Sequence, residues 1–534
     1  MNNRDTIPNS MMQLLHGSGV DRRQFLKSAA IVGFGATAGA VGWPGSSRAV
    51  APRRGGTFRV GIHDANTTDN VDPATPFGIF MTQLNCAFRG YLVEINPDNS
   101  ISPDLAEKWE ASSDALTWTF PIRKSVVFHS GKTLTARDVA ASLQYHLGEG
   151  NKSAAATQLA DVESVRADGD AIVVVCKRPF ADLPYFLTDK QLVIGPSDES
   201  GKVDWTGLDG TGPYRITRHE PGVTTELVRH ANYHKPDRAW FDAVQLIAMN
   251  DGNARIGAIR SGAVDAISEF DLRFAPQLAA SPGILIDETA SGAHACLAMD
   301  CSVAPFNNSD VRLALKHAVN RNEMIDKVLR GHGTLGSDNP IGPITPFHVN
   351  ISPVEYDPEK SRSLLKKAGF EGLKVTLSAA DIAFVGAVDT ALLFKETARA
   401  AGVEVEVVRE ADDAYWSNVW MKRPFFVSQW GGRPTPDAMF SLVYAGDAAW
   451  NETRWRNSRF DTLLNQAKGE LDGQRRTALY GEMQRICSED GGAIIPFFRN
   501  RLSARRSNVA HAGSVSGVWE LDGGRSFERW WFSE

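Results

Sequence analysis

The chain has 534 residues, with 57 Lys and Arg against 63 Asp and Glu and a formal net charge of −6. That balance leaves no basic excess to hold a phosphate backbone, so nucleic-acid binding is excluded as a leading role. A hydrophobic content of 43% with 13 Trp and 26 Phe describes a packed globule with aromatic surface available for ligands. The length exceeds what one hydrophobic core supports and implies two or three domains.

The first recognisable element is a targeting segment. Asp21-Arg22-Arg23-Gln24-Phe25-Leu26-Lys27 is a twin-arginine sequence, and a Gly- and Ala-rich apolar run from Ser28 to Trp43 follows it. That run has the length of a signal h-region and is too short and too weakly apolar to span a membrane. Ala49-Val50-Ala51 offers small residues for cleavage. Residues 1–51 are therefore expected to be a signal peptide whose Arg22 and Arg23 are read by the Tat translocase. An exposed arginine pair beside a buried helix would not need this order of charge, apolar run and small residues. No later apolar stretch approaches ~20 residues, so the mature chain is expected to be soluble.

Between Pro103 and Leu147 the pattern is clear. Leu116, Trp118 and Phe120 alternate with Thr117 and Thr119, the period of a half-buried strand. Ser130-Gly131 supplies a turn. Thr135-x-x-Asp138 is a capping box ahead of Val139, Leu143 and Leu147, which share one helical face. By local pattern alone this is the strand, turn and helix of any α/β domain.

Several fragments resemble catalytic motifs and fail. Gly131-Lys132-Thr133 lacks the first glycine of a phosphate loop, since Val126 stands there. Gly210-Thr211-Gly212 lacks the third glycine of a dinucleotide fingerprint. His230 and His234 have zinc-helix spacing, but Ala231 replaces the glutamate and Pro236 argues for a loop. The five cysteines are scattered. Cys296 and Cys301 are separated by five residues along a predicted strand from Ala295 to Asp300, a span of roughly 16 Å that exceeds disulfide reach. Buried free thiols are expected, with no catalyst, no cofactor and no metal site.

Pro103-Asp104-Leu105-Ala106-Glu107-x-Trp109, the alternating strand, Ile122-Arg123-Lys124, Val127-Phe128-His129-Ser130-Gly131-Lys132 and the helix from Thr135 follow one another in a fixed order. That order resembles the signature of the periplasmic solute-binding proteins of the dipeptide, oligopeptide and nickel type, family 5. Further blocks extend the likeness over nearly the whole mature chain. They are Gly210-Thr-Gly-Pro-Tyr-Arg-Ile216, Arg260–Ile267, Leu297–Asp300 with Ala304-Pro305-Phe306, Asp310–Arg321 and Tyr356–Gly369. In the fourth, Val311, Ala314, Leu315, Ala318 and Val319 form an apolar stripe, with Ser309 as the expected cap. The resemblance implies an α/β fold, a bilobal clamp of type II in the large three-domain variant. Lobe one would be discontinuous, comprising 52–91, 205–292 and 493–534, with a small domain inserted at 92–204 and lobe two at 293–492. The hinges would lie near Thr289–Ala295 and Ile494–Phe498.

The chain departs from the family at Gln429-Trp430-Gly431-Gly432-Arg433-Pro434-Thr435-Pro436-Asp437. In peptide-binding relatives an aspartate three residues after the tryptophan receives the peptide's ammonium group. Here that position is Arg433, which repels an ammonium and grips a carboxylate or phosphate. A solute bearing an anionic group is implied, such as an opine-like conjugate. If the register slips by one or two residues, Asp437 is the amine receptor and the ligand is a peptide. Arg433 could also bridge Asp437 and only shape the loop. Trp430 would stack on the solute or pack in the core. Asn66 and Thr67 after the first strand, Thr345 and Phe347 in a proline-rich loop, and Trp450, Asn451 and Arg454 in another loop complete the candidate ligand-binding set. The resemblance thus implies a monomeric periplasmic receptor of an ABC importer, with no enzymatic activity. It would capture a small-molecule solute by interdomain closure and deliver it to an inner-membrane permease. A peptide or metal-chelate ligand stays open, as does a sensor or enzyme on the same fold.

Overall fold

A computed structural model describes residues 51–148, 152–156 and 159–533. Arg22 and Arg23 lie outside the described residues. Three sheets set the architecture. The first has seven strands in the spatial order Tyr214–Glu220, Thr224–Arg229, Ala243–Ala248, Thr57–Ile62, Ala266–Ile267, Arg501–Arg506 and Ile284–Thr289. Thr57–Ile62 runs parallel to both neighbours, and Arg501–Arg506 runs antiparallel to both of its own. Segments far apart in the chain thus form one sheet, the body of a discontinuous lobe one.

The second sheet is the body of lobe two. Its order is Gly333–Leu335, Phe497–Arg499, His294–Met299, Phe425–Trp430, Lys374–Ala379 and Glu404–Arg409, with Ala493–Ile494 also paired to His294–Met299. All six residues of His294–Met299 are buried, as a central strand covered on both faces requires. The smaller third sheet, Glu110–Ala111, Thr117–Pro121, Ala171–Cys176 and Val162–Asp168, lies in the insert beneath the Ala136–Gln144 helix.

Local physics explains most of these elements. Trp118 and Phe120 are buried on the Thr117–Pro121 strand, as their alternation predicts. Both halves of the Thr135–Asp138 capping box form, with the Thr135 backbone N–H 2.9 Å from Asp138 Oδ2. The apolar stripe of the Ser309–His317 helix, with Ala318 and Val319 after it, is fully buried. Its cap is Asn308, whose side chain accepts from the Asp310 N–H at 2.9 Å, so Ser309 occupies the first helical position instead. All five cysteines are free, but Cys301 is only half-buried. It stands just past the end of its strand, where the chain turns outward.

The chain passes between the lobes at residues 290–293 and again at Asn500, between Phe497–Arg499 of the second sheet and Arg501–Arg506 of the first. The boundary at 493 therefore moves to 500, because residues 493–494 and 497–499 are strands that pair within lobe two. The insert also touches lobe two directly. Asp182 accepts from Arg476 Nη1 at 2.7 Å and from the Tyr480 hydroxyl at 3.2 Å, and the Ala181 N–H donates to the Lys468 carbonyl at 2.8 Å.

A buried ionic network fastens lobe one to its insert. Lys235 Nζ lies 2.8 Å from Asp104, 2.9 Å from Glu94 and 3.6 Å from Glu528. Arg525 pairs with Glu528 at 2.8 Å, and His234 reaches Asp104 at 2.9 Å. Burial alone would raise the carboxyl pKa values. Lys235 with Arg525 for Glu528, and Lys235 with His234 for Asp104, outweigh it and hold both well below the usual carboxylate range. Their folded values lie below unfolded values of about 4, so the stability they supply is full above that pH and lost as pH falls through the folded values. Lys235→Met leaves several buried carboxylates undercompensated and should cost about 3–5 kcal/mol, measured as a lowered urea midpoint at neutral pH. Glu528→Gln should be destabilising at neutral pH and should make unfolding less acid-sensitive than in the wild type.

Candidate ligand-binding site

The cleft is built from strand ends. In lobe two, Lys374–Ala379, Glu404–Arg409 and Phe425–Trp430 run parallel, so the loops after Ala379, Arg409 and Trp430 leave the same sheet edge. In lobe one, Thr57–Ile62, Ala243–Ala248 and Ala266–Ile267 do the same. Carboxyl ends of parallel strands are where open α/β sheets bind ligands. Between the lobes a narrow, partly open cavity of ≈ 30 Å³ is lined by all three parts of the molecule. The insert supplies Ile95, Asn99, Tyr185 and Thr188; lobe one supplies Arg501 and Val518; lobe two supplies Ile344–Pro346 and Gly432–Pro434; and Gly292 lines it at the crossing.

Arg433 is the charged group lobe two presents there. Its Nε is buried without a hydrogen-bond partner, and among the described residues no carboxylate lies within ion-pair distance of its guanidinium. Burial lowers its pKa from the ordinary value, with the more distant Asp189 opposing. The loop reaches this place because two glycines meet. A Cβ on Gly292 would come within 2.7 Å of Gly432 Cα, so neither position has room for a side chain.

The other sequence candidates divide. Thr345 is buried and lines the cavity beside Arg433. Trp430 is anchored at the strand end by an indole N–H bond of 2.8 Å to Glu452 Oε1, and its ring lies 5.9 Å from that of half-exposed Trp450. Phe347 stands outside the cavity, 6.2 Å from the Tyr185 ring and 5.5 Å from Tyr480, with the Arg476 guanidinium 4.5 Å over its own ring. It supports the contact between insert and lobe two. Asp437 is also turned away from the cavity. Its carboxylate accepts from Ser441 Oγ at 2.6 Å and lies 3.8 Å from Lys468, while burial pushes its pKa up to about 6. Asn451 spends its amide on the carbonyls of Ala445 and Trp455, at 3.2 and 2.7 Å. Arg454 pairs with Asp300 at 3.2 Å, beyond the end of His294–Met299 opposite the cleft. Asn66 and Thr67 are exposed, and Thr67 lies against Gly222 in the hairpin of lobe one.

A cluster on the lobe-one wall has no local sequence signal. Arg501 lines the cavity and lies 3.9 Å from both Glu269 and Glu520. His63 Nε2 is 3.7 Å from Glu520 Oε1. His63 and Glu269 follow the ends of the parallel strands, while Arg501 opens the strand after the second crossing. Only the topology brings them together. Burial, with neighbouring Glu269, pushes the Glu520 carboxyl up to about 7.

Two α/β lobes with a partly open cleft lined by both are the architecture of a solute-binding protein. The family model of bacterial extracellular solute-binding proteins, family 5 (middle), matches residues 100–452, and the chain belongs to this family. It is 26% identical to the heme-binding protein A of Haemophilus influenzae over 74% of this chain and 78% of that protein. It is 25% identical to the glutathione-binding protein GsiB of Salmonella typhimurium over 83% of this chain and 88% of that protein. The fold also matches the binding protein AgaA of A. tumefaciens R10, solved with agropinic acid, at 23% identity with a TM-score of 0.69, covering 89% of this chain and 99% of that one. Proteins of this family deliver solutes to an inner-membrane ABC permease, and these relatives are solute-binding proteins rather than enzymes. Among the described residues no helix is long and apolar enough to cross a membrane, and no group of three His, Cys, Asp or Glu could hold a metal ion.

The raised Glu520 value makes a pH prediction. An unfolded glutamate titrates near about 4.3, so the proton retained by Glu520 favours the folded form fully below that pH. The contribution is lost as pH rises through about 7. Glu520→Gln, which stays neutral, should raise the urea midpoint above wild type at about pH 8 and differ little at about pH 4.5. Parallel pH curves for the two proteins would show that Glu520 does not titrate in this range.

Proposed function

We propose that this chain is the periplasmic receptor of an ABC importer for a small organic solute bearing a carboxylate or another anionic group, with Arg433 as its anchor. The observation that carries this reading is the guanidinium of Arg433, half-buried in the interlobe cavity with an unpartnered Nε. A buried charge without a counterion is costly, and a bound anion relieves that cost. Thr345 and Tyr185 offer hydroxyls beside it, and Trp430 and Trp450 extend an aromatic surface from the same strand end. An opine-like conjugate of an amino acid and a sugar is one solute of this kind. AgaA, a protein of similar fold, was solved with agropinic acid.

Peptide capture through Asp437 would require that carboxylate to leave Ser441 and Lys468 and turn toward the cavity. The twin-arginine sequence at Arg22 and Arg23 supports export by the Tat translocase, and the clamp works as a monomer. Solute favours the closed form by its greater affinity for that form, and the closed pair of lobes then docks on the permease.

A thermal-shift screen of the mature chain tests the anchor. The panel sets neutral and cationic peptides against carboxylated amino-acid and sugar conjugates. A ligand at one hundred times its Kd adds ~2.7 kcal/mol of stability, a readable shift. Arg433→Ala should weaken the anionic hits by roughly ten- to hundredfold, the loss of a charge-assisted hydrogen-bonded pair. Selective stabilisation by neutral or cationic peptides, unchanged in the variant, would remove Arg433 from the site.

A further inference from the structure

Lobe two carries a row of tryptophans beside the anchor. Trp416 and Trp420 have ring centroids 6.4 Å apart, Trp420 and Trp450 are 6.3 Å apart, and Trp450 and Trp430 are 5.9 Å apart. Trp416 and Trp450 are 42% and 43% exposed, which is unusual for paired indoles and leaves their faces open. Ile382 and Val385, at 47% and 86% exposure, occupy the loop after Lys374–Ala379, on the sheet edge from which the Trp430 loop also leaves.

The row is held rigidly. Glu452 is buried and takes the indole N–H of Trp420 at 2.7 Å, the indole N–H of Trp430 at 2.8 Å and the Ser428 hydroxyl at 2.9 Å. One carboxylate thereby fixes two rings, and Trp450 rests against both. A core residue would need no open face, and a solvated surface would not need a buried acid to orient its rings. Continuity selects the occupant. Trp430 ends the strand, Gly431 and Gly432 carry no side chain, and Arg433 follows in the cavity. On the opposite face of the same strand, Gln429 accepts from Arg499 Nη2, which ties the strand end that carries Trp430 to the second crossing.

We propose that the Trp416–Trp420–Trp450–Trp430 row is an aromatic subsite continuous with the Arg433 cavity, and that it takes a flat, apolar or conjugated part of the same solute. This rests on the anionic reading of the cavity and narrows it to an anion with a planar body. Flat rings stack on indole faces with offset or tilted geometry, and rigid indoles lose little entropy in doing so.

The test uses two probes of equal charge, N-(2-naphthoyl)glycine and N-acetylglycine, titrated into the mature chain by calorimetry. Energy transfer from tryptophan to the naphthyl ring provides a second readout. The wild type should prefer the naphthoyl probe by about tenfold or more, the equivalent of ~1.4 kcal/mol. In Trp450→Ala that ratio should fall to about two- to threefold, with a smaller fall in Trp416→Ala. Arg433→Ala should weaken both probes. Equal affinity of the two probes in the wild type, or a preference unchanged in both tryptophan variants, overturns the subsite and leaves the anchor standing. Binding of neither probe overturns the subsite and the anionic reading together.

Discussion

Lys235 holds the discontinuous half of this molecule together. The first sheet takes a strand from the C-terminal region and places it beside strands formed far earlier in the chain, and the insert must sit at a fixed angle upon it. The Lys235 ammonium, facing Glu94 and Asp104 from the insert and Glu528 from the C-terminal segment, makes one electrostatic centre of three distant stretches. With Arg525 it leaves that centre close to neutral, which buried charges require. The strand Arg501–Arg506 then closes the sheet through its own pairing with Ala266–Ile267 and Ile284–Thr289, which sets the second crossing at Asn500.

The molecule uses buried charge in two ways. In the network around Lys235, and at Asp182 with Arg476, each desolvated charge meets its opposite at hydrogen-bond distance, and the result is structural. Arg433 has been desolvated without such a partner. Asp437, four residues on, is satisfied within its own lobe, with Ser441 donating to it at 2.6 Å and Lys468 3.8 Å away. Two ionisable residues on one loop thus differ in function because one is satisfied within its own lobe and the other faces empty space.

Much of the fold was legible where a local rule governs. The alternation at Trp118 and Phe120, the Thr135–Asp138 box and the apolar stripe from Val311 to Val319 each depend on residues within one element. Asn308 displaced Ser309 as cap because both are good caps in adjacent positions, and only backbone geometry chooses between them. The return to lobe one lies later than the hinge expected near Ile494–Phe498, because the sheet these residues join depends on a partner strand two hundred residues away. The site shows the same division. Arg433 was found through its fixed offset from Trp430, while Arg501, Tyr185 and Glu520 carry no local mark and meet only through topology. Asn451 and Arg454 are candidates only through the likeness of their loop to one in relatives. Their loop instead runs away from the cleft along the strand, toward Asp300.

The contact between Gly292 and Gly432 has one more consequence. The two glycines prolong the antiparallel pairing of His294 with Trp430, so the first crossing leaves lobe two pressed backbone to backbone against the loop that carries Arg433. A single methyl group at either position would act as a wedge between crossing and loop. The path of the chain between the lobes and the placing of the cation in the cleft are therefore set by the same close approach, and neither can shift without the other.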